Sequence, residues 1–556
     1  MKKILCSVAL LAATLGFTGC NDYLDLTPTN AVTDKVVWSN TNYATLYVNS
    51  FYSYIHNLGQ YSDWQCYPGM TDGMTDVLKF GSPADNMTGK YYGIANRFVY
   101  GIDGKTSTST AFYLSKWGDF YTAVRRVNEF LYSMQKYATF DEEDKIRFEA
   151  EARFFRGMLY FELVKRHKEV ILYDENMDAY APNTPLSSEE ASWDFVAADL
   201  LFAAQNLPAK WDSANVGRVT SGAGWALLSR AMLYAERWQD AYDAASEVLK
   251  LDYKLMPGAT SSDYAKSFST TSSMGNTEAI LEYAYIQGQL DHDFDLYFSP
   301  GGDGAVYAKG LATPTQELVE LYEMRGGGEV DWSPWYVDGG TLETPPYALL
   351  EPRFGATVLY NGATWKGRKI EAYEGGKDGW CPFGISSVEG QTTTGYYMRK
   401  LVDEKHEDLI TKNSTQPWIA IRLAEVYLNR AEAAYRLGLT PEANADLKTL
   451  RQRVGLPHTN AAGEELFSAI RKERKIELAF EGHLFWDMCR WKLAHKEWNG
   501  NRVHGFKIAA EAGQYRYTYV ECDSQDRYFT EKYYQVPLPD EELASNNAVQ
   551  QYPLWR

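Results

Sequence analysis

Apolar side chains return every three or four residues in several parts of the chain, which is the spacing of one face of an α-helix. Residues 219–250 predict two such helices, separated by a short polar turn at residues 236–240. Small alanine side chains occur on the apolar faces of both helices, which would let the two helices approach closely. A helix–turn–helix pair of this size is typical of a tetratricopeptide repeat.

The same pattern returns in residues 418–455, where Gly438 is predicted to end the first helix and Gly455 the second. Thr440 and Pro441 are predicted to begin the second helix as its N-cap and N1 residues. Residues 146–166 also have a clear helical period, and less regular helical patterns cover residues 41–56, 112–136 and 190–206. The fold class predicted is mostly α, a stack of helix pairs. This scaffold is assigned mainly to residues 38–56, 112–166, 190–250 and 417–495.

Two long segments lack this helical period. Residues 60–110 and 255–415 are rich in glycine, serine, threonine, aspartate and aromatic residues. Loops of that length in a compact protein usually carry function. No low-complexity linker separates them from the helical segments. We therefore expect one domain over residues 20–556, in which a loop-rich region carries the ligand site.

The amino-terminal segment, residues 1–19, has the pattern of a secretory signal peptide: a basic start, an apolar stretch at residues 4–17 and a small residue before Cys20. The apolar stretch is too short for a membrane-spanning helix. Residues 17–20, Phe-Thr-Gly-Cys, resemble a bacterial lipobox, in which the cysteine receives a lipid and becomes the mature amino terminus. We therefore predict lipidation of Cys20; an ordinary signal peptide with an incidental cysteine is the alternative.

Composition and charge narrow the classes of function. Hydrophobic residues make up 45% of the chain and charged residues 23%, which excludes disorder for most of it. There are 73 acidic residues against 55 lysines and arginines, and this balance argues against nucleic acid as a partner, because phosphate contacts need clustered cations. The unusual component is the aromatic fraction, which reaches 15%.

Motifs for metals, cofactors or nucleophilic catalysis are not found. The chain has no HExxH, Walker A or G-x-S-x-G sequence, so neither a cofactor nor a catalytic residue is predicted. Residues 291–295, Asp-His-Asp-Phe-Asp, offer oxygen ligands for a hard cation but lack EF-hand spacing, so a solvated loop is preferred and no metal site is predicted. Four further cysteines lie outside any CxxC pair, and both disulfides and buried thiols stay open for them: Cys66, Cys381, Cys489 and Cys522.

Two blocks near the carboxyl end carry a family pattern. Residues 421–433 read Ile-Arg-Leu-Ala-Glu-Val-Tyr-Leu-Asn-Arg-Ala-Glu-Ala, and residues 470–491 contain Glu-Leu-Ala-Phe-Glu-Gly-His and end in Arg-Trp. Their order and spacing, with Gln-Val-Pro-Leu-Pro at residues 535–539, resemble the SusD/RagB family of nutrient-uptake lipoproteins, and the resemblance spans nearly the whole chain. His483 stands where the family more often has arginine, which puts any ion pair of that arginine in doubt. A structural ion-pair network, rather than acid–base catalysis, is expected of Glu473, Glu477, Glu481, Asp487 and Arg490.

The resemblance implies a SusD-like fold and a function. It implies a surface lipoprotein of the outer membrane, held by its lipid anchor, that binds an oligosaccharide without catalysing a reaction. The partner it implies is a SusC-like TonB-dependent transporter, which receives the captured glycan. Three alternatives stay open: a peptide as cargo, a glycoside hydrolase built on the helical scaffold with two carboxylates flanking the bond, and a scaffold that binds proteins.

Aromatic residues in irregular segments suit an oligosaccharide, because flat rings cover the C–H face of a sugar while polar side chains bind its hydroxyl groups. Core packing is the alternative for each ring, since tyrosine and tryptophan bury large areas. Three clusters are predicted to bind the ligand. The first is Trp64, Tyr67, Asp72, Asp76, Tyr91 and Tyr92; the second is Tyr283, Tyr285, Asp291, Asp293, Phe294 and Tyr297; the third is Trp332, Trp335 and Tyr336.

The charge balance also bears on the kind of glycan. An acidic protein is expected to prefer neutral glycans to anionic ones. A local cationic cluster would reverse that preference, and residues 366–369, Lys-Gly-Arg-Lys, are one such cluster.

Overall fold

The computed structural model describes residues 38–62, 71–81, 99, 114–304, 308–383, 388 and 390–556. The signal segment, Cys20, Cys66 and four predicted ligand residues, Trp64, Tyr67, Tyr91 and Tyr92, lie outside the described residues. In the described part the α-helices are α1 (Thr41–Asn49), α2 (Ser53–Asn57), α3 (Trp117–Tyr137), α4 (Glu142–His167), α5 (Glu189–Asn206), α6 (Ser221–Tyr234), α7 (Trp238–Val248), α8 (Ser261–Ser269), α9 (Phe294–Phe298), α10 (Gln316–Val319), α11 (Pro352–Thr357), α12 (Leu423–Arg436), α13 (Thr440–Arg453), α14 (Gly463–Glu477), α15 (Leu484–Arg490), α16 (Ala494–Glu497) and α17 (Asp540–Ser545).

The strands of the described residues are short and pair two by two, always antiparallel. The pairs are β1 with β3, β2 with β8, β4 with β7, β5 with β6 and β9 with β10. Their bounds are β1 (Leu78–Phe80), β2 (Ala279–Tyr283), β3 (Ala312–Pro314), β4 (Val358–Tyr360), β5 (Thr364–Trp365), β6 (Arg368–Lys369), β7 (Tyr396–Met398), β8 (Trp418–Arg422), β9 (His504–Glu511) and β10 (Gln514–Glu521).

The long helices form the predicted stack. Helices α3 to α7 pack each against the next, α12 packs beside α7, and both α13 and α14 pack on α12. The mostly α fold with a tetratricopeptide-like scaffold is thereby confirmed. The turn between α6 and α7 is shorter than predicted, because α7 already begins at Trp238.

Side-chain caps explain where several of these helices begin. Asp141 accepts a hydrogen bond from the backbone N–H of Asp144 at 2.9 Å at the start of α4, and Thr220 accepts one from Ala223 at 3.2 Å at the start of α6. Each such cap contributes about 1 kcal/mol to stability. The predicted cap at Thr440 is wrong by one residue. The Leu439 carbonyl accepts the hydrogen bond from the Ala443 N–H, so Thr440 is already the first helical residue.

The segment before α12 also differs from prediction. The predicted helical pattern starts at residue 418, but residues Trp418–Arg422 form strand β8 and pair with β2. Trp418, Ile419 and Ile421 are aromatic or β-branched, which favours a strand. Helix α12 therefore begins only at Leu423.

The helix pair α5–α6 is held close by a glycine. A methyl group added at Gly224 would lie 2.8 Å from the backbone N and Cα of Ala204. We expect Gly224→Ala to lower the free energy of unfolding by about 1–3 kcal/mol, because overpacking outweighs the better helix propensity of alanine. Chemical denaturation measures the change. Gly118→Ala in α3 is the control, since nothing lies within 4 Å of its added methyl group, and equal stability of the two variants would contradict the close approach.

One hydrophobic core joins the scaffold to the irregular region. It includes Phe155 and Leu227 from the helices, Trp365 and Tyr397 from the small sheets, and Phe506 from β9. That the chain forms one domain over residues 20–556 stays a prediction. No helix in the described ranges has the length and apolar content needed to span a bilayer.

The hairpin β9–β10 projects from this core and shapes the site described next. Its turn is Ala512-Gly513, with φ of +51° and +84°, as a two-residue type I′ turn requires. Phe506, Ile508 and Tyr517 are buried on one face of the hairpin, while the residues between them are more exposed. This period of two is what a half-buried strand requires.

Candidate ligand-binding cleft

A cleft of about 610 Å³ opens beside β9–β10. We call it the hairpin cleft and define it by Asp76, Glu317, Glu320, His504, Tyr519 and Asp526, which all line it. The hairpin, α10 and the segment preceding β9 form its walls. The volume lies within the range of about 300–1,000 Å³ that is usual for small-molecule sites.

A stack of three rings lies at the hairpin cleft: Tyr519 and His504 line it, and Tyr336 packs on Tyr519 behind them. The ring centroids of Tyr336 and Tyr519 are 4.1 Å apart, and those of Tyr519 and His504 are 4.6 Å apart with planes within 10°. All three side chains are half-buried. Tyr519 pairs with Phe506 across the hairpin, and His504 lies two residues from Phe506, so strand geometry places both rings on one face.

Carboxylates hold the ends of this stack. The Tyr336 hydroxyl donates to Glu320 and accepts from Gln316 Nε2 at 3.0 Å. Burial raises the pKa of Glu320. Glu317 accepts from His504 Nδ1 at 2.7 Å and from the His504 backbone N–H at 3.0 Å. Carboxylate oxygens beside flat rings can accept hydrogen bonds from the hydroxyl groups of a sugar that lies on the rings.

The His504–Glu317 pair makes a pH-dependent prediction. Burial lowers the pKa of His504, but the hydrogen bond and charge of Glu317 raise it further, so the net shift is upward. The pair therefore adds stability that is fully present below about pH 6.5 and is lost as the pH rises through the folded-state pKa. We expect an NMR titration of His504 with its midpoint above about 6.5, and a lower midpoint in Glu317→Gln. His292, with a pKa lowered to about 4 by burial, is an internal reference; an unshifted His504 would contradict the pairing.

The cations of the hairpin cleft already have carboxylate partners. Arg502 pairs with Glu521 at 2.6 Å and with Asp526 at 2.7 Å. Arg527 pairs with Asp523 at 2.7 Å. An anionic ligand would compete with these carboxylates, whereas a neutral hydroxyl-bearing ligand would find acceptors. The electrostatics thus favour a neutral ligand.

The first predicted cluster reaches the hairpin cleft in part. Asp76 lines it, with Oδ2 3.3 Å from Lys475 Nζ. Asp72 does not: it is fully buried, accepts from the Gly482 N–H at 3.1 Å, and burial raises its pKa to about 7. The loop-rich segment 60–110 also touches the chain next to Arg527, because the Val99 carbonyl accepts from the Tyr528 N–H at 2.7 Å.

The second predicted cluster lies elsewhere. Phe294 is fully buried, stacked on Phe298 at 4.2 Å, and Tyr297 is also buried. The Tyr285 hydroxyl lies 2.9 Å from His56 Nδ1. Tyr283 and Asp293 are half-buried. Core packing accounts for the buried rings, and ligand contact by this cluster stays a prediction.

The third predicted cluster divides between the core and the ring stack beside the hairpin cleft. Trp332 and Trp335 are each 6% exposed and touch edge to face at 5.7 Å. The Trp335 indole donates to the Glu343 carbonyl at 2.9 Å. Tyr336, the next residue, joins the ring stack. Ligand contact by the two tryptophans stays a prediction.

Five of the six residues that define the hairpin cleft were not predicted from the sequence: Glu317, Glu320, His504, Tyr519 and Asp526. The predicted helical scaffold ends at residue 495, and no helix or strand is predicted from the sequence for residues 496–556. The alternation Tyr-Arg-Tyr-Thr-Tyr in residues 515–519, after Gly513, is a hairpin signal that indicates a strand with one aromatic face.

The charged residues near the carboxyl end form a structural ion-pair network. The expected ion-pair network is present: Arg422 is buried and contacts Glu278 at 2.9 Å, Glu477 at 2.7 Å and Glu481 at 2.7 Å. Burial alone would raise the pKa of Glu477, but the neighbouring arginines hold it well below its usual value. Burial keeps the pKa of His483 well below its ordinary value, and the imidazole makes no ion pair within the described residues.

Among the residues that the structure describes, the cysteines form no disulfide and the acidic, histidine and cysteine side chains form no metal-binding cluster. Cys381, Cys489 and Cys522 are buried free thiols. No group of three metal-ligating side chains occurs among the described residues. In the 291–295 segment, Asp291 instead accepts from the Gly288 N–H at 2.7 Å and from Asn413 at 2.9 Å.

The cationic run at residues 366–369 is largely neutralised. Lys366 Nζ lies 3.1 Å from Asp303, and Arg368 contacts both Asp303 and Asp378 at 2.7 Å. The predicted reversal of charge preference therefore has no basis at this run.

Family models match two parts of the chain. The model described as the SusD family matches residues 277–555, and one described as "Starch-binding associating with outer membrane" matches residues 22–233. Among curated proteins, the chain is 24% identical to a SusD-like protein of Bacteroides ovatus, over 76% of this chain and 74% of that one. It is 22% identical to SusD-like protein P25 of Formosa agariphila, over 68% of this chain and 70% of the relative.

Solved structures show the same fold. A SusD-like protein from Bacteroides fragilis superposes with a TM-score of 0.79 at 28% identity, covering 94% of this chain and 98% of that chain. A SusD-like carbohydrate-binding protein from the same species gives 0.74 at 23% identity, over 92% and 100%. A laminarin-binding SusD-like protein gives 0.63 at 23% identity, over 93% and 100%.

Proposed function

The chain belongs to the SusD family, and from this premise we propose that it captures an oligosaccharide in the hairpin cleft without catalysing a reaction. The observation that carries the proposal is the stack of Tyr336, Tyr519 and His504, with Glu317 and Glu320 at its ends. Because Tyr336 and His504 cover the faces of Tyr519, a sugar would lie against the ring edges of Tyr519 and His504, which line the cleft, with its hydroxyl groups near those carboxylates. Burying a sugar hydroxyl there without a partner would be costly, so the carboxylates would also select among sugars.

The similar proteins support a glycan as the ligand. One solved relative binds laminarin, and another is a surface glycan-binding protein A from Bacteroides fluxus. Both are under 25% identical to this chain, so they support the fold and the class of ligand but not the identity of the sugar. The paired arginines of the hairpin cleft favour a neutral glycan.

A panel of ligands tests the proposal. In native affinity gels the purified protein is expected to be retarded by at least one neutral polysaccharide and to migrate normally in a peptide mixture. A reducing-sugar assay with the same polysaccharide is expected to show no release. Retardation only by peptide would contradict a glycan cargo, and release of reducing sugar would establish a hydrolase instead.

Anchoring and delivery form a separate part of the proposal. The lipobox-like residues 17–20 and the match to a family that associates with the outer membrane support a lipid on Cys20. In this arrangement the protein stands on the cell surface and passes its glycan to a SusC-like TonB-dependent transporter. We expect Cys20→Ala to abolish incorporation of labelled palmitate and to move the protein out of the outer-membrane fraction. Co-purification of the transporter with the wild-type protein tests the partner.

A further inference from the structure

A second cleft, of about 250 Å³, lies at the end of strand β4. We call it the arginine cleft and define it by Arg325, Tyr347, Phe354, Tyr360, Arg399 and Glu404, which line it. It shares none of these residues with the hairpin cleft. None of them was singled out from the sequence.

Three stacked rings form the floor of the arginine cleft. The ring centroids of Tyr347 and Tyr360 are 4.6 Å apart, and Phe354 lies 5.6 Å from Tyr360 with planes within 22°. Tyr347 and Phe354 are buried, whereas Tyr360 is half-buried and forms the exposed layer of the stack. The Tyr347 hydroxyl is fixed by Tyr396 at 2.9 Å. The floor is therefore a rigid aromatic surface of the kind that packs against the face of a sugar.

Two guanidinium groups stand beside this floor. Arg399 is held by the Gly355 carbonyl at 3.1 Å and by Glu404 at 2.6 Å. Arg325 is exposed and donates through Nε to the Leu350 carbonyl at 3.2 Å. Within the described residues Arg325 forms no ion pair, so its two terminal nitrogens are available to a ligand.

The Tyr360 hydroxyl lies within the field of both arginines. Burial raises the pKa of Tyr360, while Arg399 and Arg325 act to lower it. Its hydroxyl has no hydrogen-bond acceptor among the residues that the structure describes. Within the described residues, the terminal nitrogens of Arg325 and the Tyr360 O–H are thus the donors of the cleft without an acceptor, while Arg399 is bound to the exposed carboxylate Glu404. The other carboxylate of the lining, Glu351, is buried and bound to Arg353 at 2.7 Å.

The arginine cleft differs from the hairpin cleft in how its arginines are paired. The whole chain carries a net charge of −18, and the hairpin cleft has its arginines paired with carboxylates. In the arginine cleft Arg399 is paired with Glu404, but Arg325 forms no ion pair within the described residues and lines the same cleft as the aromatic floor. Guanidinium groups bind carboxylate and sulfate through paired, charge-assisted hydrogen bonds.

We propose that the arginine cleft is a second glycan subsite that takes an acidic sugar, with the sugar ring on Tyr360 and its anionic group on the guanidinium of Arg325. The anion is a carboxylate or a sulfate, which present similar oxygen acceptors. The proposal does not depend on the hairpin cleft, because neutral and acidic sugars would occupy different places on the chain.

Isothermal titration of the full chain at low salt tests the proposal. The probes are three tetrasaccharides: an oligogalacturonate, a sulfated carrageenan fragment and a neutral galactan fragment. We expect at least one acidic probe to bind, with an affinity that falls as salt is added. Arg325→Gln is expected to weaken that binding by about tenfold or more, and Tyr360→Phe by a smaller factor, since charged hydrogen bonds exceed neutral ones.

The control variant is Arg125→Gln on α3. Arg125 is an exposed arginine paired with Glu129 at 2.9 Å, so this variant removes the same charge elsewhere and is expected to bind as the wild type does. Binding of any neutral probe in the hairpin cleft should be the same in Arg325→Gln and in the wild type. The proposal is overturned if neither acidic probe binds the wild type, or if Arg325→Gln and Tyr360→Phe bind it unchanged. Which acidic probe binds tells whether the anion is a carboxylate or a sulfate.

Discussion

Replacing Arg422 by methionine is expected to lower the free energy of unfolding by about 3–5 kcal/mol, the range seen when one partner of a buried ion pair is removed. Arg422 is almost fully buried, and its guanidinium contacts Glu278, Glu477 and Glu481. Methionine fills part of the volume of the arginine side chain, but it removes a positive charge that balances these buried carboxylates. Chemical denaturation at neutral pH measures the loss.

The control for Arg422 is Arg125→Met, which breaks an exposed pair with Glu129. Exposed pairs contribute at most about 1 kcal/mol, so this variant should stay close to the wild type. Loss of Arg422 should also move acid unfolding to higher pH. Because the pKa of Glu477 is depressed in the folded state, its stability contribution is present at neutral pH and is lost as the pH falls. Equal stability of the two variants would contradict a structural role for the network.

Replacing Tyr519 by alanine is expected to weaken binding of the cognate neutral glycan by about 30-fold or more, which corresponds to about 2 kcal/mol for a central aromatic contact. Tyr519 is the middle ring of the stack and is half-buried, so the loss should fall on the ligand more than on the fold. Titration of the purified variant with an oligosaccharide prepared from the polysaccharide that retards the wild type gives the affinity.

Tyr515→Ala is the matched control for Tyr519. Tyr515 lies on the same strand and the same face, but its ring packs on Tyr373 at 5.1 Å and does not line the hairpin cleft. We expect its affinity to stay within about twofold of the wild type, as for most contacts outside a binding centre. If the two variants lose affinity equally, the hairpin cleft is not where the sugar binds.

The scaffold was predictable because its helices are set by local patterns. The three-to-four-residue period, the alanines of residues 219–250, and Gly438, which has a φ of +76°, all act within a few turns. Strand β8 was not predictable in the same way. Residues 418–422 become a strand through pairing with residues 279–283, more than a hundred positions away.

The hairpin cleft was only partly predictable, since it depends on contacts between distant segments. Glu317 and His504 are 187 positions apart, and nothing near either residue indicates that they meet. Asp76 and Tyr336 were found because they lie in loop segments rich in aromatic and acidic residues. The same criterion also selected Trp332, Trp335 and Phe294, which are buried, because composition cannot tell a ring facing solvent from one facing the core.

The same limit applies to charged residues, because the sequence does not show which of them meet in the fold. The run Lys366, Arg368 and Lys369 is visible in the sequence, yet Asp303 and Asp378 neutralise most of it. Arg325 and Arg399 are isolated in sequence, and only the fold brings them to one aromatic floor.

The central claim is that a sugar binds in the hairpin cleft, against the rings of Tyr519 and His504. A crystal structure of the full chain with an oligosaccharide prepared from the polysaccharide that retards it in the gel tests this claim most directly. We predict a sugar against the ring edges of Tyr519 and His504, with hydroxyl groups within hydrogen-bond distance of Glu317 or Glu320. A sugar bound at another place with the hairpin cleft free of ligand would contradict the claim.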